Sequence, residues 1–125
     1  MRDPEYLLDT TVLVDLLEGR PECLLTRVQD AAVGTLAVST IAYAEVMLGA
    51  EAAGNVERAD RLFSRFPLLP FDEAAAREYA RLPFKRGSFD RLIAAHALAL
   101  GLPVVTANTK DFAKLPGLRI ENWST

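Results

Sequence analysis

Apolar residues in this chain fall into short dense runs separated by longer amphipathic stretches, and that alternation is the first guide to its fold. Tyr6-Leu7-Leu8, Leu36-Ala37-Val38, Leu68-Leu69 and Val104-Val105-Thr106 are too short for helices. With a last segment near residues 118–120, they read as strands buried on both faces. Between them the spacing predicts helices over residues 12–18, 23–32, 40–53, 56–66 and 90–100. A further helix is capped by Asp72 and ends before Pro83, and a short helical piece follows Asn108. Gly19 with Pro21, Gly54, and Gly101 with Pro103 supply the stops, while Ser39, Thr40 and the Thr10-Thr11 pair offer hydroxyl caps. Strands alternating with helices predict an α/β fold, three layers deep, with a mostly parallel central sheet. No repeat, low-complexity run or linker interrupts the pattern, so one domain over residues 1–125 is expected.

Ligand sites in parallel sheets lie beyond the carboxyl ends of the strands. Asp9 directly follows the first strand, Glu45 lies in the helix after the second, and Asp111 follows the fourth. Asp90 opens the apolar helix before that fourth strand. Taken singly, each has an ordinary reading. Asp9 caps the helix behind it, Glu45 is an exposed helix residue, and Asp90 and Asp111 are first-turn acids favoured by the helix dipole. Together they point to one pocket. Two carboxylates about 4 Å apart repel by roughly 4 kcal/mol at an effective dielectric of 20, so four in one place require cations or protons. Hard oxygen ligands in that number suit Mg2+ or Mn2+.

Composition narrows the chemistry. Cys23 is the only cysteine and His96 the only histidine, which excludes a disulfide or a thiolate- or histidine-rich zinc site within one chain. The formal net charge of -3 is the wrong sign for nucleic-acid binding through a global basic field. Any attraction for a polyanion must be local, and Lys85, Arg86, Arg91 and Lys110 lie beside Asp90 and Asp111 in sequence. His96, Tyr43 and Trp123 read as packed or interface residues, and helix faces near Met47 and Leu62 as candidate partner surfaces. No apolar stretch approaches the roughly 20 residues that span a bilayer, and Arg2-Asp3-Pro4-Glu5 does not open a secretory signal. A cytoplasmic protein is expected.

Four segments, in order, resemble the motif regions of PIN-domain ribonucleases: Leu8-Asp9-Thr10-Thr11-Val12-Leu13-Val14-Asp15-Leu16-Leu17, the helix with Ala44-Glu45, Phe89-Asp90-Arg91-Leu92-Ile93-Ala94-Ala95-His96-Ala97-Leu98, and Val105-Thr106-Ala107-Asn108-Thr109-Lys110-Asp111-Phe112. The ending Leu115-Pro116-Gly117-Leu118-Arg119-Ile120-Glu121-Asn122-Trp123 is similar to VapC toxins of toxin-antitoxin (VapBC) pairs. The resemblance implies an endoribonuclease dependent on Mg2+ or Mn2+, acting on RNA such as tRNA. Asp9 and Asp90 would be the metal ligands, Glu45 and Asp111 would complete the catalytic set, and Thr106 and Asn108 would orient carboxylates. It further implies a VapB-like antitoxin that blocks the active-site groove, while the apolar helix faces near Met47 and Leu62 would suit a homodimer as well as that antitoxin. The expected reaction is in-line hydrolysis leaving 5′-phosphate ends. Two features depart from the family pattern: Thr11 stands where many members carry Asn, and residues 82–88 form a compressed stretch before Asp90. A catalytically silent PIN-fold binding module, or a receiver-like Mg-binding signalling domain, are the alternatives. Against the latter, Asp9 lacks an adjacent acidic partner and no Asp ends the third strand.

Overall fold

The computed structural model describes residues 2–83 and 88–125. In chain order the elements are β1 (Tyr6–Leu8), α1 (Thr10–Glu18), α2 (Glu22–Asp30), β2 (Leu36–Ser39), α3 (Thr40–Ala53) and α4 (Val56–Phe63). They continue as β3 (Leu68–Leu69), α5 (Glu73–Arg81), α6 (Phe89–Leu100), β4 (Val104–Val105), α7 (Thr109–Phe112) and β5 (Ile120–Glu121). The strands form one five-stranded sheet, ordered β3-β2-β1-β4-β5, and every pairing is parallel. The α/β architecture expected from the sequence is present, with a wholly parallel sheet.

Burial explains the order. Leu7 and Leu8 point to opposite faces of β1 and both are fully buried, as are Val104 and Val105 of β4. Helices therefore cover both faces of the sheet, and the central strands are continuously apolar rather than alternating. The edge strands β3 and β5 are two residues each and only partly buried, short enough to offer little template for a foreign strand. The first three strands run outward from β1 on one side, and the chain then returns to lay β4 along the other side of β1. The β1–β4 boundary is thus the point where strand order reverses, and a crevice opens there beyond the carboxyl ends. Asp9 and Thr106 are the first residues past those ends.

Several boundaries differ from the sequence expectation for local reasons. Helix α1 begins at Thr10, and its N-cap is the Asp9 carboxylate rather than a threonine hydroxyl. Helix α4 stops at Phe63, because the chain turns through Ser64, Arg65 and Phe66 before Pro67, and a residue preceding proline avoids helical geometry. β5 lies at Ile120–Glu121, where it registers with Val104 and Val105. Gly101 ends α6 in the left-handed region at φ 70°, its N–H reaching the carbonyls of Ala97 and Leu98, so the chain reverses directly into β4.

Leu62 and Met47 do not form an open surface: Leu62 is buried in the core and Met47 packs against it. The large exposed apolar side chain of α3 is Leu48 instead, 72% accessible.

Candidate active site

Asp9 stands at the centre of the crevice and is fully buried. Burying a carboxylate is costly unless its oxygens are met, and here three donors meet them. Oδ1 accepts the Thr10 backbone N–H at 2.6 Å, and Oδ2 accepts the hydroxyls of Thr11 at 2.8 Å and Thr106 at 2.7 Å. Both hydroxyls are themselves held: Thr106 Oγ1 accepts from the Asn108 N–H at 2.9 Å, and Thr11 Oγ1 from the Ala107 N–H at 3.4 Å. A donor from α1 and another from the end of β4 therefore clamp one carboxylate oxygen at the strand reversal. The departure at Thr11 has a structural meaning, because this hydroxyl joins the β1 end to the loop after β4.

The other acidic side chains surround this anchor. Glu45 is half-buried on α3, and its Oε1 accepts the Thr10 hydroxyl at 2.8 Å. Asp111, in the first turn of α7, accepts from Asn108 Nδ2 at 2.6 Å. Asp90 sits in the first turn of α6, whose N-cap is Ser88. Its pKa is pushed up to about 6, first by desolvation, then by the charges of Asp9 and Asp111, a hydrogen bond to Asp111, and finally the charge of Glu45. All four expected carboxylates are thus close enough for Asp90 to feel the other three. Thr106 and Asn108 lie between Asp9 and Asp111, each bonded to one of them.

Among the described residues, no three acidic, histidine or cysteine side chains close into a tight chelating cage. The carboxylates are near enough for Asp90 to feel the charges of the other three. That arrangement fits a cation such as Mg2+, which takes one or two carboxylates and fills its remaining octahedral positions with water and substrate oxygens. An open, polar, all-oxygen pocket of excess negative charge is the donor set such an ion requires.

His96 plays another part. It is buried, its Nδ1 lies 2.9 Å from Ser39 Oγ, and Phe71 meets it edge-on with ring centres 5.6 Å apart. Ser39 Oγ also accepts the Ile41 N–H, so this hydroxyl ties the imidazole to the first turn of α3. Burial holds its pKa below the usual range, partly opposed by Asp72. It is a packed neutral residue joining α6 to the start of α3. Trp123 is buried, set edge-on against Tyr6 with Arg27 over its ring, and Tyr43 packs edge-on against Phe63. Of the expected positive rim, Arg91 is half-buried and Lys110 exposed, while Lys85 and Arg86 lie outside the described residues.

Sequence reasoning treated Thr10 and Thr11 as helix caps and missed their bonds to Glu45 and Asp9. The signal was the doubled hydroxyl immediately behind a buried Asp. A groove of about 480 Å3 runs from this corner between α1 and α3, lined by Val14, Leu17, Val46 and Ala50, with Thr10 and Glu45 at one end and Arg58 at the other.

Comparison with known proteins agrees with this geometry. The family described as PIN domain matches residues 6–118. The chain is 33% identical to the tRNA(fMet)-specific endonuclease VapC of Shigella flexneri, with 96% of this chain and 98% of that protein aligned. Among solved structures it is similar to VapBC2 from Rickettsia felis bound to a promoter DNA fragment, with a TM-score of 0.85, 29% identity, and 94% and 98% of the two chains covered. DNA-bound VapBC from Salmonella typhimurium gives the same TM-score and identity over 96% and 98%. The chain belongs to the PIN-domain family and, within it, to the VapC group.

Proposed function

We propose that this protein is a divalent-metal-dependent endoribonuclease, the toxin of a VapBC-type pair, hydrolysing RNA phosphodiester bonds with tRNA as the substrate class. The observation that carries the reading is the convergence of Asp9, Glu45, Asp90 and Asp111 at the strand reversal, where burial first and then the charges of the other three acids raise Asp90 to about 6. Ribonuclease names among its VapC relatives support the reaction, and the name of the Shigella flexneri relative supports tRNA. PIN-family membership removes the receiver-like alternative.

In this reading Asp9 and Asp90 hold Mg2+ or Mn2+, and Glu45 and Asp111 complete the set directly or through water. The cation supplies Lewis acidity that acidifies water and offsets charge on the phosphoryl oxygens. The protein supplies position. Thr11 and Thr106 fix the Asp9 carboxylate, Thr10 holds Glu45, and Asn108 holds Asp111, so the acidic groups need little rearrangement when a phosphate arrives. A bound cation would favour the ionised form of Asp90 over the protonated one. Water adds in line to phosphorus, the bond to the 3′ oxygen breaks, and the products carry a 5′-phosphate and a 3′-hydroxyl.

The VapBC complexes among its structural relatives support a VapB-like antitoxin as partner. An apolar antitoxin segment lying in the α1–α3 groove would reach Glu45 and cover the acidic pocket. No described helix is long and apolar enough to cross a membrane.

The test is cleavage of total tRNA by the wild-type protein and by Asp9→Asn, each with Mg2+, with Mn2+ and with EDTA. Cleavage with metal, none with EDTA, and none by a mutant with native circular dichroism is expected. A folded, antitoxin-free wild-type protein that cuts no RNA in either metal would instead favour the silent binding module.

A further inference from the structure

Among the described residues five polar side chains are buried: Asp9, Thr35, Ser39, His96 and Thr106. Three have evident work. Thr106 donates to Asp9 in the acidic pocket, and Thr35 donates to the Ala32 carbonyl at 2.6 Å within its own turn. Ser39 and His96 lie 57 residues apart in the chain and meet each other at 2.9 Å. The hydrolysis described above uses neither.

For stability alone this pair is a poor choice. His96 sits in α6 among Ile93, Ala94, Ala95 and Ala97, all fully buried, where an aliphatic side chain would fill the space with no polar atom to satisfy. Replacing both members of a buried hydrogen-bonded pair by apolar groups can be nearly neutral. A hydrogen bond has what an apolar contact lacks, a defined distance and direction. Packed apolar helices can shift by small sliding motions, and this bond opposes such a slide. It is also held from both sides. Ser39 Oγ accepts the Ile41 N–H at 3.1 Å, which fixes it to the start of α3. Phe71 sets its ring edge-on to His96 and gives its N–H to Thr40 Oγ1 at 3.0 Å, so the segment after β3 braces the ring against the same turn of α3.

The two helices joined in this way pack together and carry two of the four acids. Glu45 lies six residues beyond Ser39 on α3, and Asp90 six residues before His96 on α6. At about 1.5 Å of rise per residue, each stands roughly 9 Å along its axis from the bond. Equal and opposite offsets bring the two carboxylates to one level, and Asp90 does feel the charge of Glu45. The bond also stands at the carboxyl edge of the sheet. Ser39 follows Val38 as Asp9 follows Leu8, and Val38 and Leu8 are partners in register. A slip of α6 against α3 would therefore change the spacing of Asp90 from both Glu45 and Asp9.

We propose that His96 is a positioning residue of the nuclease: bonded to Ser39, it sets the level of α6 against α3 and so the spacing of Asp90 and Glu45. The proposal rests on the nuclease reading above and adds to it a residue outside the acidic set.

The experiment compares wild type with His96→Leu, Ser39→Ala and His96→Asn, whose amide can reoccupy the place of Nδ1. Val28→Ala, a core truncation on α2 that leaves the bond alone, is the control. Because His96 is the only histidine, its ring-nitrogen NMR signals report the bond directly and should shift in Ser39→Ala. At a temperature where circular dichroism shows every variant folded, His96→Leu and Ser39→Ala should lower kcat on tRNA about 10- to 100-fold with KM little changed, the scale of a small misplacement of reacting groups. Mn2+ affinity without RNA, measured by electron paramagnetic resonance, should fall roughly tenfold in the same two variants. His96→Asn should recover most of both. Val28→Ala should lower Tm and leave both at wild-type values. Wild-type kcat and Mn2+ affinity in a folded His96→Leu overturn the proposal, as does a ring-nitrogen signal unmoved by Ser39→Ala. An equal loss in Val28→Ala also overturns it, since general destabilisation then explains the effect. If His96→Leu does not fold, Ser39→Ala decides by the same criteria. A wild type that neither cleaves RNA nor binds Mn2+ removes the nuclease reading and this inference with it.

Discussion

Asp9 and Asp90 belong to one acidic pocket, yet the fold treats them in opposite ways. Asp9 is fully buried and its oxygens meet three donors, two of them threonine hydroxyls from separate parts of the chain. Asp90 is only half-buried, and its surroundings are dominated by burial and by other negative charges, which lift its pKa to about 6. The first carboxylate is built into the scaffold, and its hydrogen bonds repay the desolvation. The second is left short of compensation and awaits a cation. A pocket in which all four acids were satisfied like Asp9 would have no appetite for metal, and one in which all resembled Asp90 would resist folding. The mixture gives a rigid anchor beside an unmet charge.

The widest separation between the two comes from neutralising each in turn. Asp9→Asn and Asp90→Asn should both reduce RNA cleavage on the order of 10^3-fold, the scale of losing a group that acts in the transition state. Their effects on stability should have opposite signs. Asn at position 9 puts an amide NH2 where the carboxylate accepted the Thr10 N–H and two threonine hydroxyls, leaving a buried polar group poorly matched at a cost of about 1–3 kcal/mol. Asn at position 90 removes a charge that three neighbours repel, so the metal-free protein should melt at a higher temperature than wild type. Thermal unfolding in EDTA at pH 7 measures both. A fall in Tm for Asp90→Asn would mean that Asp90 is held by donors as Asp9 is, and the contrast would collapse.

A smaller effect probes how the anchor is held. Thr106→Val keeps the shape of a fully buried side chain, but removes one donor to Asp9 Oδ2 and the acceptor of the Asn108 N–H. Losing an orienting partner of a ligand typically costs 10- to 100-fold in metal affinity or activity. Mn2+ titration followed by electron paramagnetic resonance, alongside cleavage rates, should place the loss in that range. An unchanged affinity would show that Thr11 and the Thr10 N–H fix Asp9 without help.

Much of this contrast was legible in the sequence, but unevenly. The strand Tyr6-Leu7-Leu8 running into Asp9 is a local pattern, and burial of a carboxylate there follows from the apolar residues before it. A mostly parallel sheet likewise follows from strands that read as continuous apolar runs, and the structure makes every pairing parallel. What a local pattern does not contain is non-local pairing. That β1 lies between β2 and β4 decides that Thr106 reaches Asp9, and this order is written in no single segment. Asp90 is the sharper case: a first-turn acid is favoured by the helix dipole anywhere, and only the packing of α6 brings it toward Asp9, Asp111 and Glu45. Helix faces were read less well than helix positions. Met47 and Leu48 are neighbours of similar hydrophobicity, and the direction of the core alone makes one packed and the other exposed.

The mildest prediction concerns pH, and it follows from the half of the pair left uncompensated. Near pH 6 a proton and a cation compete for Asp90, so metal affinity should climb as pH rises through about 6 and level off above it. One unit below that point only about a tenth of the carboxyl is ionised, and the apparent affinity should be roughly tenfold weaker than the plateau. Stability of the metal-free protein moves the other way. The folded pKa lies above the ordinary value of 3.8, so between the two the native state binds more protons than the unfolded chain. This group therefore makes the protein less stable as pH rises from about 4 to about 6, and contributes no further slope above. Saturating Mg2+ should abolish that decline, because the cation takes the place of the proton. Calorimetric titration of Mg2+ at pH 5.5 in buffers of differing ionisation enthalpy should detect proton release, and the release should vanish in Asp90→Asn. Proton release that persists in Asp90→Asn would assign the titration to another acid of the cluster and require the roles of Asp90 and Asp111 to be exchanged.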